Sequence, residues 1–430
     1  MPKNNINVLL LDFAQQTNTG DDVMQRALIE LCRDNVSSNI TISTYFGANE
    51  LLAVREEFGH YEEGYGLPVV GGVINTYFNR GRWSRSLGRV FQAIFCVFLL
   101  ILLRFNVPSS FVRVLLTSKQ KNTFDVYNQA DIVIWNGRNF RGSGGAGEAL
   151  KIFELCVNPF FCLMLEKPVF CIGASVWPLK SKIAKWLMKA AVKNSKAFLV
   201  RENDSYNYLY NELKLSECPS LDRIPDLSFY VINQYLHKNK TMLHRGVTGL
   251  VGLTLIGRRE LPNDEIYSRY LNAFSKLVSH ISKKDLQIKI IPQVTYNLEP
   301  YEKELYIIAS QNPNVELEIV EGELGFEGLL DQYMGVDILV ASRMHSAIFA
   351  RSLGVPVTAV AYDEGAKWGI LDGLNVHRGL VLSASTLSSE ELINNFDEVH
   401  SGGVDMEVPE LVDLLASKTK EKFKIMLALN

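Results

Sequence analysis

The feature that most constrains this chain is a repeated order: a short apolar run, a polar or glycine-bearing loop, then a helical pattern. Ile6–Phe13 (INVLLLDF) has strand length, Ala14–Asp22 is a polar loop, and Val23–Leu31 carries helical spacing. The unit returns at Asp131–Trp135, Val169–Ile172 and Ala197–Val200. Unbroken apolar runs alternating with helices predict a parallel sheet covered on both faces. A second set follows at Gly249–Ile256, Leu286–Ile291, Val315–Val320, Asp337–Val340 and Val357–Ala361, with helical segments Tyr267–Lys283, Pro300–Gln311 and Gly325–Met334 between them. Two such sets in 430 residues predict an α/β chain of two Rossmann-type domains with an interdomain cleft. Residues 1–240 are expected to form the first domain and 241–405 the second, with the polar, basic Tyr235–Gly246 as linker. Residues 60–122, irregular and rich in Gly, Arg and Tyr, read as an insertion. Residues 406–430 are expected to form a helix that returns to the first domain.

Charge excludes one class of partner. With 44 basic against 47 acidic residues, the chain lacks the basic surplus that marks a nucleic-acid binder. Cys32, Cys96, Cys156, Cys162, Cys171 and Cys218 form no CxxC pair and no metal-ligand spacing. They are expected to be free thiols in a reducing compartment, and no metal or cofactor is expected. The first residues run straight into a strand, so no signal peptide is read and a cytoplasmic location is expected. Val90–Leu103 (VFQAIFCVFLLILL) lies between Arg89 and Arg104. Its 14 residues cover about 21 Å as a helix, short of the ~30 Å hydrocarbon core. Flanked by Arg80, Arg82, Arg85, Arg113, Lys119 and Lys121, it is either a peripheral contact with the inner face of a membrane or a buried core helix.

Five loops carry residues suited to chemistry. In Asn18-Thr19-Gly20-Asp21-Asp22 the glycine allows a tight turn at a helix start. Asp21 or Asp22 could deprotonate a sugar hydroxyl or could merely cap the helix. Asn136-Gly137-Arg138-Asn139-Phe140-Arg141 follows a strand, where glycine would admit a ligand and Arg138 or Arg141 would offer a charged fork, or it is a simple flexible loop. Arg201 ends the run AFLV and could bind an anion bidentately or pair with Glu202 or Asp204. Arg258 and Arg259 follow the first strand of the second set; neighbours point apart, so one of them is expected to face a ligand. The densest is Ser342-Arg343-Met344-His345-Ser346, at a strand-to-helix junction. There a permanent charge, a group that exchanges protons near neutrality and the positive end of a helix coincide. That set suits a phosphorylated or carboxylated donor with an acid at hand.

At SRMHSAIFARSLGVPVTAVAYD the chain resembles the polysaccharide pyruvyl transferase family. The likeness runs in family order through NTGDD (18–22), ADIVIWNG (130–137), KPVFCIGASVWP (167–178), VRENDS (200–205) and IPD (224–226). It implies a GT-B-like fold and transfer of a pyruvyl group from phosphoenolpyruvate to two hydroxyls of a sugar, giving a cyclic ketal. The acceptor would be a polysaccharide or its lipid-linked precursor, in exopolysaccharide biosynthesis. By the resemblance Arg201, Arg343 and His345, with Met344 between the last two, fall on donor-binding and catalytic positions, and Arg258 or Arg259 matches a family arginine. The first domain is then the acceptor side and the second the donor side. Asp21 is read with His345 as catalytic, and Asn18, Asp22, Asn136 and Arg138 as acceptor-binding. Two departures stand out: Asn136-Gly137-Arg138 replaces a common Gly-Gly, and Lys367 arrives later after Tyr362 than the family lysine. Two other readings stay open. One is a GT-B glycosyltransferase using a nucleotide sugar, with Glu321 or Glu323 for the ribose. The other is a diverged, non-catalytic member of a polysaccharide-assembly complex.

Overall fold

Strands form where aliphatic runs let side chains on both pleat faces enter a core. In a computed structural model, the first part of the chain gives β1 (Ile6–Phe13), β2 (Ser38–Gly47), β3 (Val69–Gly72), β4 (Ile132–Asn136), β5 (Asn139–Phe140), β6 (Val169–Val176), β7 (Ala197–Val200) and β8 (Leu221–Arg223). β4, β6 and β7 are buried at every position. The helices here are α1 (Thr19–Asn35), α2 (Gly59–Glu63), α3 (Arg82–Arg104), α4 (Ser109–Val114), α5 (Ser118–Gln129), α6 (Gly145–Met164), α7 (Lys182–Asn194) and α8 (Asn203–Asn207). The structure describes residues 6–14, 18–36, 38–48, 51, 58–73, 82–142, 144–239, 247–293, 299–322, 324–363, 366–376, 381–402 and 407–428.

The second part gives α9 (Ser228–Lys238), β9 (Leu250–Thr254), α10 (Asp264–Ser282), β10 (Gln287–Ile290), α11 (Glu299–Gln311), β11 (Leu317–Ile319), α12 (Phe326–Met334), β12 (Ile338–Ala341), α13 (Met344–Ser352), β13 (Val357–Ala361), β14 (Leu382–Ser383), α14 (Ser389–Gly402) and α15 (Val408–Ala428). Both sheets are wholly parallel. The first runs β3-β2-β1-β4-β6-β7-β8, with β5 beside β6; the second runs β11-β10-β9-β12-β13-β14. Each order reverses after its first strand, which is the doubly wound arrangement of a Rossmann domain.

By its contacts the chain divides into one unit of Met1–Gln16, Gln25–Ile224 and Lys420–Asn430, and a second of Thr17–Met24 and Pro225–Thr419. The division falls at Ile224, ahead of the stretch at 235–246 expected to be the linker. Tyr235–Lys238 instead finish α9, whose buried face includes Tyr230, Val231 and Ile232, and residues 240–246 lie outside the described residues. The IPD motif explains the difference. Asp226 is fully buried and accepts from the Ser228 N–H (3.0 Å) and hydroxyl (2.6 Å), so it starts a helix of the second unit. The end of α15 clusters with the first unit, where Lys422 pairs with Asp222.

Residues 60–122 are not an insertion. Val69–Gly72 is a strand of the first sheet, paired with β2, and α3, α4 and α5 are the crossover from β3 to β4. β3 eluded the sequence reading because four residues with two glycines carry no measurable period. The α3 helix also extends beyond Val90–Leu103 to span Arg82–Arg104, yet no helix among the described residues is long and apolar enough to cross a membrane. The six cysteines are free, five of them buried.

Glu148, in the first turn of α6, has no exposed surface, and its carboxylate accepts from the backbone N–H groups of Lys180 (2.8 Å), Ser181 (2.7 Å) and Gly144 (2.5 Å). Burial pushes its pKa up, but these three donors and the Lys180 charge outweigh burial and hold it below the ordinary carboxylate value. A depressed pKa means stability that is present above the unfolded pKa and lost as pH falls through the folded one. Glu148→Gln should therefore cost about 1–3 kcal/mol at neutral pH, and less in acid. Urea unfolding at both pH values checks this; an equal loss at each would contradict it.

Candidate functional site

In the second unit β9 and β12 are neighbours, and the strand order reverses between them. Loops leaving the carboxyl ends of two such strands flank the crevice where doubly wound sheets take ligands. Arg343 leaves β12, and Arg258, Arg259 and Glu260 leave β9. Arg343 is the extended residue that precedes α13, and its guanidinium donates to Glu260 Oε1 at 2.8 Å, with 14% of its side chain exposed. The ion pair fixes the position of a permanently charged group at this junction.

The neighbouring hydroxyls fix this junction. The Ser342 N–H donates to Thr254 Oγ1 at 3.0 Å, and the Ser342 hydroxyl meets Tyr270 OH at 2.8 Å. Ser346 accepts from Tyr333 OH at 2.8 Å and donates to Gln293 Oε1 at 2.6 Å. Burial raises the Tyr333 phenol above its ordinary pKa, so it stays a donor. Met344 and His345 fill the first turn of α13, both buried, and the imidazole packs against Phe349 with ring centroids 5.8 Å apart.

The start of α1 joins this group, since Thr17–Met24 clusters with the second unit. The Thr19 hydroxyl donates to the Gln293 carbonyl at 3.2 Å. Gly20 lies so close to His345 that a Cβ added there would meet Nδ1 at 2.1 Å. Asn18 is the capping residue: its Oδ1 accepts from the Gly20 N–H at 3.1 Å. Asp21 and Asp22 therefore do not cap the helix but sit in its first turn, Asp21 exposed and bonded to Asn18 Nδ2 at 3.1 Å. Of the paired arginines, Arg258 is engaged with Asp264 and with the Leu261 carbonyl (2.8 Å), whereas Arg259 is exposed.

The first unit holds the remaining residues. Arg201 leaves β7 and donates to Ser175 Oγ at 2.7 Å, with Glu202 Oε2 3.7 Å from its Nε. The pairing with Glu202 thus exists, and Ser175 and Ser205 both bond Glu202, holding the arginine in place from beneath. At the reversal between β1 and β4, Asn136 is buried and its Oδ1 has no hydrogen-bond partner among the described residues. Arg138 donates to the Asp12 carbonyl at 3.3 Å and lies over the Tyr45 ring. A Cβ at Gly137 would meet the Ala174 nitrogen at 2.2 Å, so the glycine allows β4 to approach β6.

Sequence reasoning missed Glu260, Gln293 and Asp12. Asp12 has a left-handed backbone (φ 62°) at a register shift in β1, and it accepts from Trp135 Nε1 at 2.8 Å and from Asn158 at 3.2 Å. Burial outweighs Arg138 and these bonds and pushes its pKa up. A buried carboxylate with non-glycine strain at a strand end is a common mark of a functional site; its only sequence signal was an aspartate ending an apolar run. Lys367, despite its delay in sequence, is buried and reaches Asp363 (3.0 Å) and the Tyr362 hydroxyl (2.5 Å). Glu321 lies in the loop after β11, and Glu323 is outside the described residues.

Solved structures of similar fold include UDP-GlcNAc 2-epimerase from Neisseria meningitidis bound to UDP-GlcNAc, at TM-score 0.52 and 13% identity over 99% of each chain. UDP-GlcNAc 2-epimerase from Methanocaldococcus jannaschii gives 0.52 and 12%, over 99% of this chain and 100% of that one. Glycyrrhiza uralensis UGT73P12 complexed with glycyrrhetinic acid 3-O-monoglucuronide gives 0.51 and 10%, over 99% and 96%. At these identities the likeness establishes the fold, which is GT-B. A search of curated proteins returns no match. The sequence profile described as polysaccharide pyruvyl transferase matches residues 18–364, a span from the α1 start to just beyond β13 that contains every residue placed above except Asp12 and Lys367. The chain belongs to the polysaccharide pyruvyl transferase family.

Proposed function

We propose that this protein moves the pyruvyl group of phosphoenolpyruvate onto two hydroxyls of one sugar, in a polysaccharide or its lipid-linked precursor, and so serves exopolysaccharide assembly. Family membership supports a role in polysaccharide pyruvylation. The observation that carries the finer reading is the junction after β12, where Arg343 and His345 lie at a helix start and Arg343 pairs with Glu260. Phosphoenolpyruvate brings a carboxylate and a phosphate, which call for guanidinium forks and helix N–H groups. In this scheme His345 acts as the proton donor. As imidazolium it gives its proton to C3 of the enol, and C2 becomes electrophilic. A sugar hydroxyl attacks C2 and loses its proton, with Asp21 as the proposed base. Phosphate leaves with its bridging oxygen, and the second hydroxyl closes the ketal. Two hydroxyl protons are released; one balances the proton now on carbon and the other leaves with phosphate. Asn136 Oδ1, Arg138, Asn18 and Asp22 are the proposed acceptor contacts, and no metal takes part in the scheme.

Thermal unfolding tests the donor. Phosphoenolpyruvate at about a hundredfold excess over Kd should stabilise the protein by about 2.7 kcal/mol. UDP and GDP should not. Stabilisation by a nucleotide and not by phosphoenolpyruvate would overturn the reading in favour of a glycosyltransferase. Incubation with phosphoenolpyruvate and a sugar acceptor should release phosphate in step with a one-pyruvyl mass gain on the acceptor.

A further inference from the structure

The α3 helix buries Cys96, Leu99 and Leu103 in the core of the first unit, and α4 buries Val112. The other side of this pair is not polar. Phe91 (70% exposed), Ile94, Phe98, Ile101, Phe105 (78%) and Phe111 all face outward. A continuous aromatic and aliphatic surface of this kind is not left to water on a protein that has no use for it. Its electrostatic setting leans basic, although Asp125 pairs with Arg113 and Glu154 of α6 acts on Cys96. Between Glu63 and Asp125 the sequence has no acidic residue and eight basic ones, in a chain whose overall net charge is −3.

A second helix repeats the pattern. α3 packs along α6, and α6 packs along α7. On α7 Ile183 (62% exposed) and Trp186 (66%) project from a helix that also carries Lys182, Lys185, Lys189 and Lys193. No acidic residue occurs between Glu166 and Glu202. Two helices of one unit, far apart in sequence, thus carry exposed aromatic side chains within lysine- or arginine-rich segments.

We infer that this face of the first unit docks on an anionic lipid surface. α3 and α4 lie in the plane of the interface with the phenylalanines at the acyl boundary. Trp186 sits at headgroup level, and the lysines and arginines meet lipid phosphates. No helix here is long and apolar enough to cross a bilayer, so the contact is peripheral. Charge selects lipid over a second copy of the chain. A two-fold interface would bring the same positive patch against itself, whereas an anionic leaflet neutralises it. The inference does not rest on the pyruvyl reading.

Co-sedimentation of the full chain with extruded vesicles tests it. Vesicles of phosphatidylcholine with phosphatidylglycerol should bind at least about tenfold more protein than phosphatidylcholine alone, and added salt should reverse this. Phe91→Ser with Phe98→Ser should reduce binding by about tenfold or more, with Tm and transfer to a water-soluble acceptor unchanged. Lys185→Glu with Lys189→Glu should weaken binding to anionic vesicles selectively. Failure to bind either vesicle overturns the proposal. So does equal binding by the phenylalanine variant, or concentration-dependent dimerisation that this variant abolishes. Transfer activity on the soluble acceptor reports separately on the reading above.

Discussion

His345→Ala is expected to lower kcat by about 10²–10⁴-fold, the range for loss of a positioned general acid, while phosphoenolpyruvate still raises Tm. The split follows from the division of labour at the β12–α13 junction. In the proposed scheme Arg343, which pairs with Glu260, and the helix start supply charge for the donor, and His345 supplies the transferable proton. His345 is buried against Phe349, so alanine also removes packing. His345→Gln, which keeps volume and a hydrogen-bonding amide but cannot donate to carbon, separates the two effects. It should fold normally and remain as inactive as the alanine variant. Steady-state turnover of either variant within about threefold of the parent would remove His345 from the chemistry.

Gly20→Ala carries the second large effect, and local and tertiary forces give it opposite signs. Gly20 is the second residue of α1, where alanine would ordinarily stabilise a helix by about 1 kcal/mol. Here the new Cβ would fall 2.1 Å from Nδ1 and 2.4 Å from Cγ of His345. The imidazole must move by about an ångström, and misplacement on that scale costs about 10²-fold in rate. Since the substitution acts through His345, its effect should vanish in the His345→Ala background. A Gly20→Ala enzyme of parental kcat, or one whose loss adds fully to that of His345→Ala, would mean that the α1 start does not position the acid.

Much of the architecture was readable beforehand because strand period and apolar continuity are local properties. Ile6–Phe13, Ala197–Val200 and Val357–Ala361 coincide with β1, β7 and β13 to the residue. Elements went unseen where that signal fails. β2 (SNITISTYFG) mixes polar with apolar residues, while β3, β8 and β14 are four residues or fewer. The expected linker failed for a different reason. YLHK looks polar, but Tyr235 and Leu236 are buried, so α9 keeps an apolar face through it. Asp21 and Asp22 fit a helix cap by residue type and place in sequence, but the hydrogen bond from the Gly20 N–H gives that role to Asn18.

By itself, the sequence determined the two doubly wound sheets and the placement of Arg343 and His345 at a strand-to-helix junction. Both are consequences of residue order within a few turns of chain. Only tertiary structure decided what those two residues meet. Glu260 reaches Arg343 because β9 and β12 are sheet neighbours, and Gly20 lies under His345 because the start of α1 joins the second unit. The outward aromatic face of α3 was likewise undecided in sequence, where a buried helix and a surface-seeking one share the same apolar run. Periodicity tells which face of an element differs from the other, but a contact between residues hundreds of positions apart depends on strand order and packing, which no local pattern encodes.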